Sequence, residues 1–322
     1  MSDPEVSVII PVYNRAGVIG RAVESVLDQT YTSYELIVVD DHSTDATIQQ
    51  LGNYADARMR VLEQPENRGA NAARNRGLDA ARGRWIAFLD SDDRWYEHKL
   101  ERQVQQMNDT PEDVGIVHCA FWSMDGLFRK YKPQGTPHTL EGNLSSELLR
   151  HNCLGFINTL IRRSVFEKTG PLNEDLPALQ DWDFHLAAST HTRYAFLREP
   201  LLEKFPQDSS ISRDYTAYAD AHRRIYDRHR QRFHDDPEGH ANIHFRTGSS
   251  LCLSGSPGTG RRRIAEAIEL TPTSLKFRMA YVITYGGPWL FAFCWSVHSH
   301  LRAAIDLLHH LVSGISSGSD RL

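Results

Sequence analysis

Two aspartates, Asp90 and Asp92, follow a short apolar run that covers residues 85–89. The run predicts a buried strand, and open α/β sheets bind their ligands at the carboxyl ends of their strands. Side chains two residues apart leave an extended chain on the same side, so the two carboxylates can converge. Convergent carboxylates favour Mg²⁺ or Mn²⁺, which usually arrive with substrate phosphates. A solvated acidic turn, in which Asp93 caps the next helix, explains this stretch equally well when it is taken alone.

Polar residues also follow the first two predicted strands. Tyr13 and Asn14 come after a β-branched run that starts at Val6, and Asp40 and Asp41 end the next such run. The carboxyl ends of parallel strands meet at one edge of a sheet. Each pair also has a structural explanation, as a turn residue or a helix cap. Because all of these polar residues are expected at the same edge of the sheet, a nucleotide-type site is favoured over a separate structural explanation for each pair.

The elements that must position these residues alternate between strands and helices. Apolar residues at helical spacing predict helices over 18–27 and 70–81, and β-branched runs predict strands over 34–39, 60–63 and 85–89. Alternation at this spacing implies right-handed βαβ units and a largely parallel sheet. The predicted fold class is therefore α/β, with a Rossmann-like sheet flanked by helices.

Several finer expectations concern loops and strand ends. Ser43 or Thr44 can cap the helix that follows Asp41. Residues 123–145 are rich in glycine and proline, and a loop of that length predicts a mobile flap on the acceptor side of the site. Further on, residues 194–197 and 201–203 predict two closing strands.

Composition limits the function classes. The chain has 322 residues, 40% of them hydrophobic, and a formal charge of −5, which argues against a dedicated nucleic-acid binder. Four cysteines without CxxC spacing predict neither a disulfide framework nor a zinc site, and they fit a reducing compartment. The acidic N-terminus lacks the pattern of a secretory signal, so we expect a cytoplasmic protein.

Four separated motifs together resemble the family-2 glycosyltransferases of the GT-A fold, over roughly residues 5–205. The motifs cover residues 8–14, 36–45, 67–75 and 88–93. The resemblance implies an inverting enzyme that uses a nucleotide-diphosphate sugar, most often a UDP-sugar, with a divalent metal, Mn²⁺ or Mg²⁺. The partners that it implies are this donor and a glycan, lipid-linked or protein acceptor.

The resemblance also implies roles for individual residues in the donor site. Asp41 matches the aspartate that contacts the nucleobase, and a carboxylate can accept a hydrogen bond from the N3–H of uracil. Asp92 matches the direct metal ligand, and Asp90 matches a metal or ribose contact. Tyr13 is available for stacking on the base. The implied nucleotide-sugar site comprises Pro11, Val12, Tyr13, Asn14, Asp41, Asn71, Arg74, Asp90, Ser91 and Asp92.

The catalytic base is implied by a later stretch, residues 179–184, which resembles the Glu-Asp-x-Asp element of the family. Asp181 matches the base that takes the proton from the acceptor hydroxyl, and Asp183 is the second choice. Gln180 departs from the usual glutamate, so one nearby negative charge that would raise the pKa of Asp181 is absent. The competing structural explanations are that Asp181 caps the next helix and that Trp182 is a core residue.

The last third of the chain changes character. We expect a catalytic domain over residues 1–213 and a helical region over 214–322, with one helix over 215–233. Within 279–311 a long apolar stretch is broken by Gly286-Gly287-Pro288, which favours packed or interfacial helices over a membrane span. This region predicts association with a membrane surface, and Arg213 is a candidate for pairing with a donor phosphate.

Two other function classes compete with the glycosyltransferase. A non-catalytic nucleotide-sugar-binding or scaffold protein of the same fold is indicated only by Gln180. A nucleotidyltransferase usually has a Gly-rich loop directly after its first strand, where this chain has Pro11-Val12-Tyr13. A dehydrogenase is disfavoured because no G-x-G-x-x-G follows that strand.

Overall fold

A computed structural model gives the fold. It describes residues 3–125, 128–132, 140–206, 214–287 and 291. Arg213 and most of the predicted membrane-surface region at 279–311 lie outside the described residues.

The first half of the chain forms the predicted parallel sheet. Its elements are β1 (Val6–Val12), α1 (Ile19–Leu27), β2 (Tyr34–Asp40), α2 (Thr47–Leu51), β3 (Met59–Glu63), α3 (Ala70–Ala80) and β4 (Trp85–Phe88). The strands lie in the order β3-β2-β1-β4, and every neighbouring pair is parallel. The predicted helices and strands of this half agree with the structure to within one or two residues. All seven residues of both β1 and β2 are buried, which is typical of a parallel sheet covered on both faces.

The chain from β5 to β9 extends the same sheet. Its elements are β5 (Arg94–Trp95), α4 (Lys99–Asp109), β6 (Val114–Asp125), β7 (Phe128–Lys132), α5 (Ser145–Arg150), β8 (Thr159–Arg162), α6 (Arg163–Thr169), α7 (Gln180–Ala188) and β9 (Arg193–Lys204). The order continues as β4-β8-β6-β9-β5, with β8 antiparallel to both of its neighbours and β9 parallel to β6. The fold class is therefore α/β, as predicted.

Two expectations about this half are wrong. The two closing strands are one strand, β9, because β6 offers a continuous partner that absorbs the intervening residues through shifts of register. The predicted loop at 123–145 is partly a hairpin, since β6 continues to Asp125 and pairs with β7. Residues 126–127 and 133–139 of that loop lie outside the described residues.

The core of this unit depends on a close approach between α3 and β1. A Cβ atom added to Gly77 on α3 would lie 2.5 Å from Cγ2 of Ile9 on β1. Contacts that short do not occur between real side chains, so only glycine allows the helix to lie this close to the sheet. The close packing fixes the start of α3 beside the ends of β1 and β2.

The chain divides into two compact units. One comprises Met1–Leu148, Asn152–Leu176 and Gln180–Asp208, and the other comprises Leu149–His151, Pro177–Leu179 and Ser209–Leu322. The second unit contains α8 (Tyr215–Arg228), α9 (Arg230–Asp235), α10 (Pro237–Leu253), α11 (Pro257–Leu270), α12 (Leu275–Ile283) and a 3₁₀ turn at Thr284–Gly286.

The helix predicted over residues 215–233 is in fact two helices, because α8 ends at Arg228 and α9 begins at Arg230. Asp236 then caps α10 through the backbone N–H of Gly239 and pairs with Arg150. Among the described residues, no helix combines the length and the apolar character that a membrane crossing requires.

Candidate active site

A cluster of three carboxylates lies just beyond the end of β4. The backbone N–H of Asp93 donates to the carbonyl of Asp90, and this turn folds the acids toward one another. One carboxylate oxygen each from Asp90, Asp92 and Asp93 lies within 4.8 Å of the other two. Three hard oxygen ligands at this spacing suit a small divalent cation. The predicted convergence of Asp90 and Asp92 is present, and a third acid joins them.

Asp93 is part of this cluster and does not cap the next helix, which corrects the expectation from sequence. Helix α4 begins at Lys99 without a side-chain cap. The Asp93 carboxylate instead accepts a hydrogen bond of 2.9 Å from the backbone N–H of Phe205, just beyond β9. Its second oxygen is buried and has no hydrogen-bond partner among the described residues. The loop after β4 is thereby joined to the end of β9, and one oxygen remains to bind a cation.

The electrostatics of the cluster also fit a cation. Burial raises the pKa of Asp92, and the neighbouring Asp90 carboxylate raises it further. Burial likewise raises the pKa of Asp93 well above its usual value, and Asp90 and Asp92 add to this effect. Carboxylates whose negative charges oppose one another gain stability when a cation binds between them. The donor set therefore fits Mg²⁺ or Mn²⁺.

Arg74 on α3 reaches this cluster, and Asn71, one turn earlier on the same helix, contacts Arg74. The Arg74 guanidinium donates to Asp90 at 2.9 Å and to the side-chain oxygen of Asn71 at 3.2 Å. It is buried and lies 5.2 Å from the ring centre of Phe156. The Asn71 amide donates to the backbone carbonyl of Asn173 at 2.7 Å. Arg74 is therefore a buried ion-pair partner that orients Asp90.

Asp41 organises the entry to α3. Its carboxylate accepts hydrogen bonds from the backbone N–H groups of Arg68 and Gly69, at 2.8 and 2.7 Å, and from the side chain of Gln64. Its own backbone N–H donates to the carbonyl of Val12 at the end of β1. The residue predicted to contact the nucleobase is thus held rigidly beside the end of β1.

The loop after β1 is fixed by Asn14. Its backbone has a φ of 50°, in the left-handed region that asparagine tolerates. Its side-chain oxygen accepts hydrogen bonds from the backbone N–H groups of Thr44 and Asp45. Asp45, rather than Ser43 or Thr44, accepts from the N–H of Thr47 at the start of α2, so the predicted cap is wrong.

The remaining predicted residues of the donor site lie on either side of this loop. Pro11 and Val12 are buried within β1, whereas Tyr13 is 42% exposed. An exposed aromatic ring beside the ends of two parallel strands is available to stack on a planar ligand. Ser91 is buried, and it lies in sequence between Asp90 and Asp92, which are half-buried.

Asp181 lies in the first turn of α7 and is half-buried. Its carboxylate accepts a hydrogen bond of 2.8 Å from the backbone N–H of Trp182, so it stabilises the helix start from within the helix rather than as the N-cap. Burial raises its pKa, Lys204 and Arg74 lower it, and Asp90 raises it. These interactions place Asp181 within electrostatic range of the carboxylate cluster, although the two are far apart in sequence.

The neighbours of Asp181 on α7 are core residues. Trp182 is fully buried, and its ring N–H donates to the carbonyl of Leu148 at 2.7 Å. This confirms the structural alternative for the tryptophan. Asp183 is also buried, which makes it a poor candidate to accept a proton from a large acceptor.

Lys204 is a site residue that the sequence analysis missed. It is the last residue of β9 and is exposed. Desolvation lowers its pKa, but its interactions with Asp90, Asp93, Asp181 and Asp92 outweigh this effect and raise the pKa. One lysine therefore interacts with both acid groups. Its position at a strand end is the signal that could have revealed it, but the predicted strand stopped at Glu203.

The fold is an α/β sheet that carries a cluster of three acids beyond the end of a central strand. Residues 7–170 match the family model described as glycosyl transferase family 2. The match covers half of the chain, and the chain belongs to this family. The resemblance stated from the four motifs is thereby confirmed.

Individual relatives agree with the family. A UDP-Glc:alpha-D-GlcNAc-diphosphoundecaprenol beta-1,3-glucosyltransferase of Escherichia coli, WfgD, is 46% identical over 107 residues, which are 33% of this chain and 42% of WfgD. The chain spans between 42% and 65% of the length of the first curated relatives that it matches.

Solved structures show the same fold. TarS 1-349 of S. aureus in complex with UDP-GlcNAc superposes with a TM-score of 0.64 at 19% identity, over 83% of this chain and 82% of that one. The mannosyltransferase PcManGT of Pyrobaculum calidifontis, solved with GDP-Man and Mn²⁺, gives 0.60 at 19% identity, over 91% and 87% of the two chains. The predicted GT-A fold is confirmed.

Proposed function

We propose that the chain transfers a sugar from a nucleotide-diphosphate sugar, a UDP-sugar, to an acceptor hydroxyl with inversion at the anomeric carbon. The proposal rests on one observation, which is that Asp181 interacts electrostatically with the region of the Asp90, Asp92 and Asp93 cluster. Asp181 interacts electrostatically with Asp90, Arg74 and Lys204, so a proton acceptor and a cation-binding cluster lie within range of each other. An inverting transfer needs both, on opposite sides of the transferred sugar.

Asp181 acts as the general base in this proposal. Burial raises its pKa, which makes the carboxylate a stronger proton acceptor than an ordinary aspartate. Lys204 and Arg74 oppose the rise, so the pKa of Asp181 is raised less than burial alone would raise it. The hydrogen bond from the N–H of Trp182 holds one oxygen in place and leaves the other for the acceptor hydroxyl.

The donor diphosphate would lie over the acid cluster. Asp90, Asp92 and Asp93 would hold a divalent metal, which neutralises charge on the departing diphosphate when it is bound. Arg74 orients Asp90 by a direct ion pair. Lys204, exposed beside the same acids, can donate to a diphosphate oxygen and stabilise the leaving group from the protein side.

The nucleobase would lie against Tyr13, at the ends of β1 and β2. Tyr13 offers an exposed ring for stacking, and Tyr13 and Asp41 directly follow the paired strand-end residues Val12 and Asp40. Because Asp41 already accepts three hydrogen bonds from the chain, its main effect on the base is to fix the shape of this pocket. The choice of uracil is supported by WfgD, whose donor is a UDP-sugar.

The acceptor that we propose is lipid-linked, and the enzyme would act at the cytoplasmic face of a membrane. Support comes from WfgD, whose name specifies a diphosphoundecaprenol acceptor. The predicted membrane-surface association of residues 279–311 is consistent with such an acceptor.

Calorimetric titration of UDP tests the donor site. Wild type and Asp92→Asn are titrated with and without Mn²⁺, and GDP is titrated in parallel. We expect UDP binding that depends on Mn²⁺ and weakens at least tenfold in Asp92→Asn, because one of three carboxylate ligands is lost. Asp79→Asn, at an exposed position on α3, is the matched control and should bind as wild type does.

Other outcomes would change the proposal in distinct ways. Tight binding of GDP but not UDP would keep the enzyme class and overturn the donor. Binding of neither nucleotide by the folded protein would favour the scaffold alternative. Metal-dependent UDP binding without turnover over a panel of UDP-sugars and acceptors would favour the same alternative.

A further inference from the structure

Helix α12 is apolar on two opposite faces. One face packs on the helical unit, where Phe277 is buried and its ring centre lies 4.8 Å from that of Phe245 on α10. The other face carries Leu275, Met279 and Val282, which are 69%, 55% and 68% exposed. Their spacing of four and three residues places them in one stripe along the helix. A helix at a water-exposed surface normally has a polar outer face, so this stripe requires a partner.

The stripe continues into the 3₁₀ turn after α12. Tyr285 is 66% exposed, and Arg261 of α11 holds the turn in place by a hydrogen bond of 3.2 Å to the carbonyl of Thr284. The Arg261 guanidinium also lies 4.7 Å from the ring centre of Tyr285. Leu275, Met279, Val282 and Tyr285 are the most exposed large hydrophobic residues of the described chain. We call these four residues the α12 stripe.

The charge around the α12 stripe specifies the partner. Lys276 and Arg278 are both exposed on α12, and Arg262 is exposed on α11. No Asp or Glu occurs in the sequence between Glu269 and Asp306, although the whole chain has a formal charge of −5. An apolar stripe on a segment that carries cations and no acid, within a net anionic chain, is complementary to an apolar surface with a negative rim. A second copy of this acidic chain offers no such surplus of negative charge at its own α12 stripe.

The sequence that follows has the composition of a membrane interface. Residues 288–295 read Pro-Trp-Leu-Phe-Ala-Phe-Cys-Trp, with four aromatic residues and no charge. Tryptophan and other aromatic residues concentrate at the level of lipid headgroups, and basic amphipathic helices lie in the same plane.

We infer that the α12 stripe docks in the plane of a membrane surface that contains anionic lipids, with the exposed Arg278 and Arg262 supplying positive charge toward the headgroups. This inference deepens the membrane association proposed above by naming the residues and the lipid charge. It does not depend on sugar transfer, so it can fail or succeed independently of the donor site.

Flotation of the full chain with vesicles tests the inference. Vesicles of phosphatidylcholine alone are compared with vesicles that contain phosphatidylglycerol, at low and high salt. We expect binding to the anionic vesicles that weakens with salt, because the basic contribution is screened. In Leu275→Gln/Val282→Thr the apparent affinity should fall on the order of tenfold, since two exposed apolar side chains are removed.

The variants are chosen to preserve the fold. Glutamine matches leucine in helix propensity and threonine matches valine in shape, and both positions are exposed. Val61→Thr, at an exposed valine on β3, is the matched control and should bind vesicles as wild type does. UDP affinity, measured on the same samples, should be equal in all three proteins.

Three results would overturn the inference. The first is wild-type protein that binds neither kind of vesicle. The second is a double variant that binds anionic vesicles as tightly as wild type. The third is a stable dimer in solution that the double variant dissociates while vesicle binding is absent, which would assign the α12 stripe to a second copy of the chain.

Discussion

At the scale of single residues, the site brings buried and half-buried acids close to two cations, Lys204 and Arg74, and these cations affect the pKa values of the acids. Asp93 and Asp181 have raised pKa values because burial disfavours their ionised forms, and Lys204 opposes that effect at both. Arg74 also lowers the pKa of Asp181, and it forms a direct ion pair with Asp90. Each of these two acids, Asp93 and Asp181, therefore interacts with a cation that limits the rise of its pKa. This balance leaves carboxylate oxygens available for a metal ion and for an acceptor proton.

The general base is tested by Asp181→Asn. The amide cannot accept the acceptor proton, so we expect kcat to fall by about 10²–10⁴ while UDP affinity stays within about twofold. In wild type, kcat/KM should decline on the acid side at a pH above about 3.9, the usual pKa of aspartate, because burial raises the pKa of Asp181. Activity is present above the raised pKa and is lost as pH falls through it.

Steady-state kinetics over a pH series would measure both effects. Asp175→Asn, at an exposed position in the turn before α7, should retain wild-type kinetics. Retention of kcat in Asp181→Asn would exclude this residue as the base.

Lys204 makes a second prediction at this scale. Lys204→Met should weaken UDP binding about tenfold or more, since a charge-assisted hydrogen bond to phosphate is worth roughly 1.5–3 kcal/mol. It should also move the acid limb of kcat/KM to higher pH, because Lys204 lowers the pKa of Asp181.

Lys204→Arg should recover most of the affinity, and Lys168→Met, at an exposed position on α6, should change neither quantity. A Lys204→Met protein with unaltered UDP affinity and a shifted acid limb would show that Lys204 acts only on the acids.

At the scale of elements, the donor site depends on the position of α3. Asp41 holds the turn before this helix, Gly77 lets the helix lie against β1, and Arg74 projects from it to Asp90. Predicted alternation of strands and helices is enough to place α3 over the sheet. The depth at which it packs is set by a single absent Cβ atom.

Gly77→Ala tests this packing. Alanine favours a helix by about 1 kcal/mol over glycine, but its Cβ would collide with Ile9, and overpacking costs typically 1–3 kcal/mol. We expect a lower melting temperature and weaker UDP binding, because α3 and Arg74 must move outward. Gly258→Ala on α11 meets nothing within 4 Å and should leave the protein as stable or more stable. Equal stabilisation by both substitutions would contradict the close approach of α3 to β1.

At the scale of the whole molecule, the chain consists of two compact units, of which the first contains the sheet and the second contains helices α8 to α12. The four motifs, the acid cluster and Lys204 all belong to the first unit. The α12 stripe belongs to the second. We propose that the boundary near residue 213 separates a donor-binding part from a membrane-binding part.

Calorimetric unfolding tests this division. A ligand that binds only the native catalytic unit stabilises it by about 2.7 kcal/mol at a hundred times its Kd, which corresponds to roughly 5–10 °C for a unit of this size. We expect two transitions, of which UDP with Mn²⁺ raises only one. The experiment uses the full chain. A single transition, or an equal shift of both, would show that the two units unfold together.

The sequence by itself determined the order of strands and helices, the parallel half of the sheet and the family, because these depend on local periodicity and on motifs that are contiguous in the chain. It also singled out Asp90, Asp92 and Asp181 as candidate site acids, and the structure brings Asp90 and Asp92 together. Only the tertiary structure decided that Asp93 joins the cluster and that β9 is one strand ending in Lys204. Those facts depend on which strands are neighbours. Pairing of β9 with β6 brings Phe205 to Asp93 and Lys204 to four acids, and no local pattern encodes a contact between residues so distant in sequence.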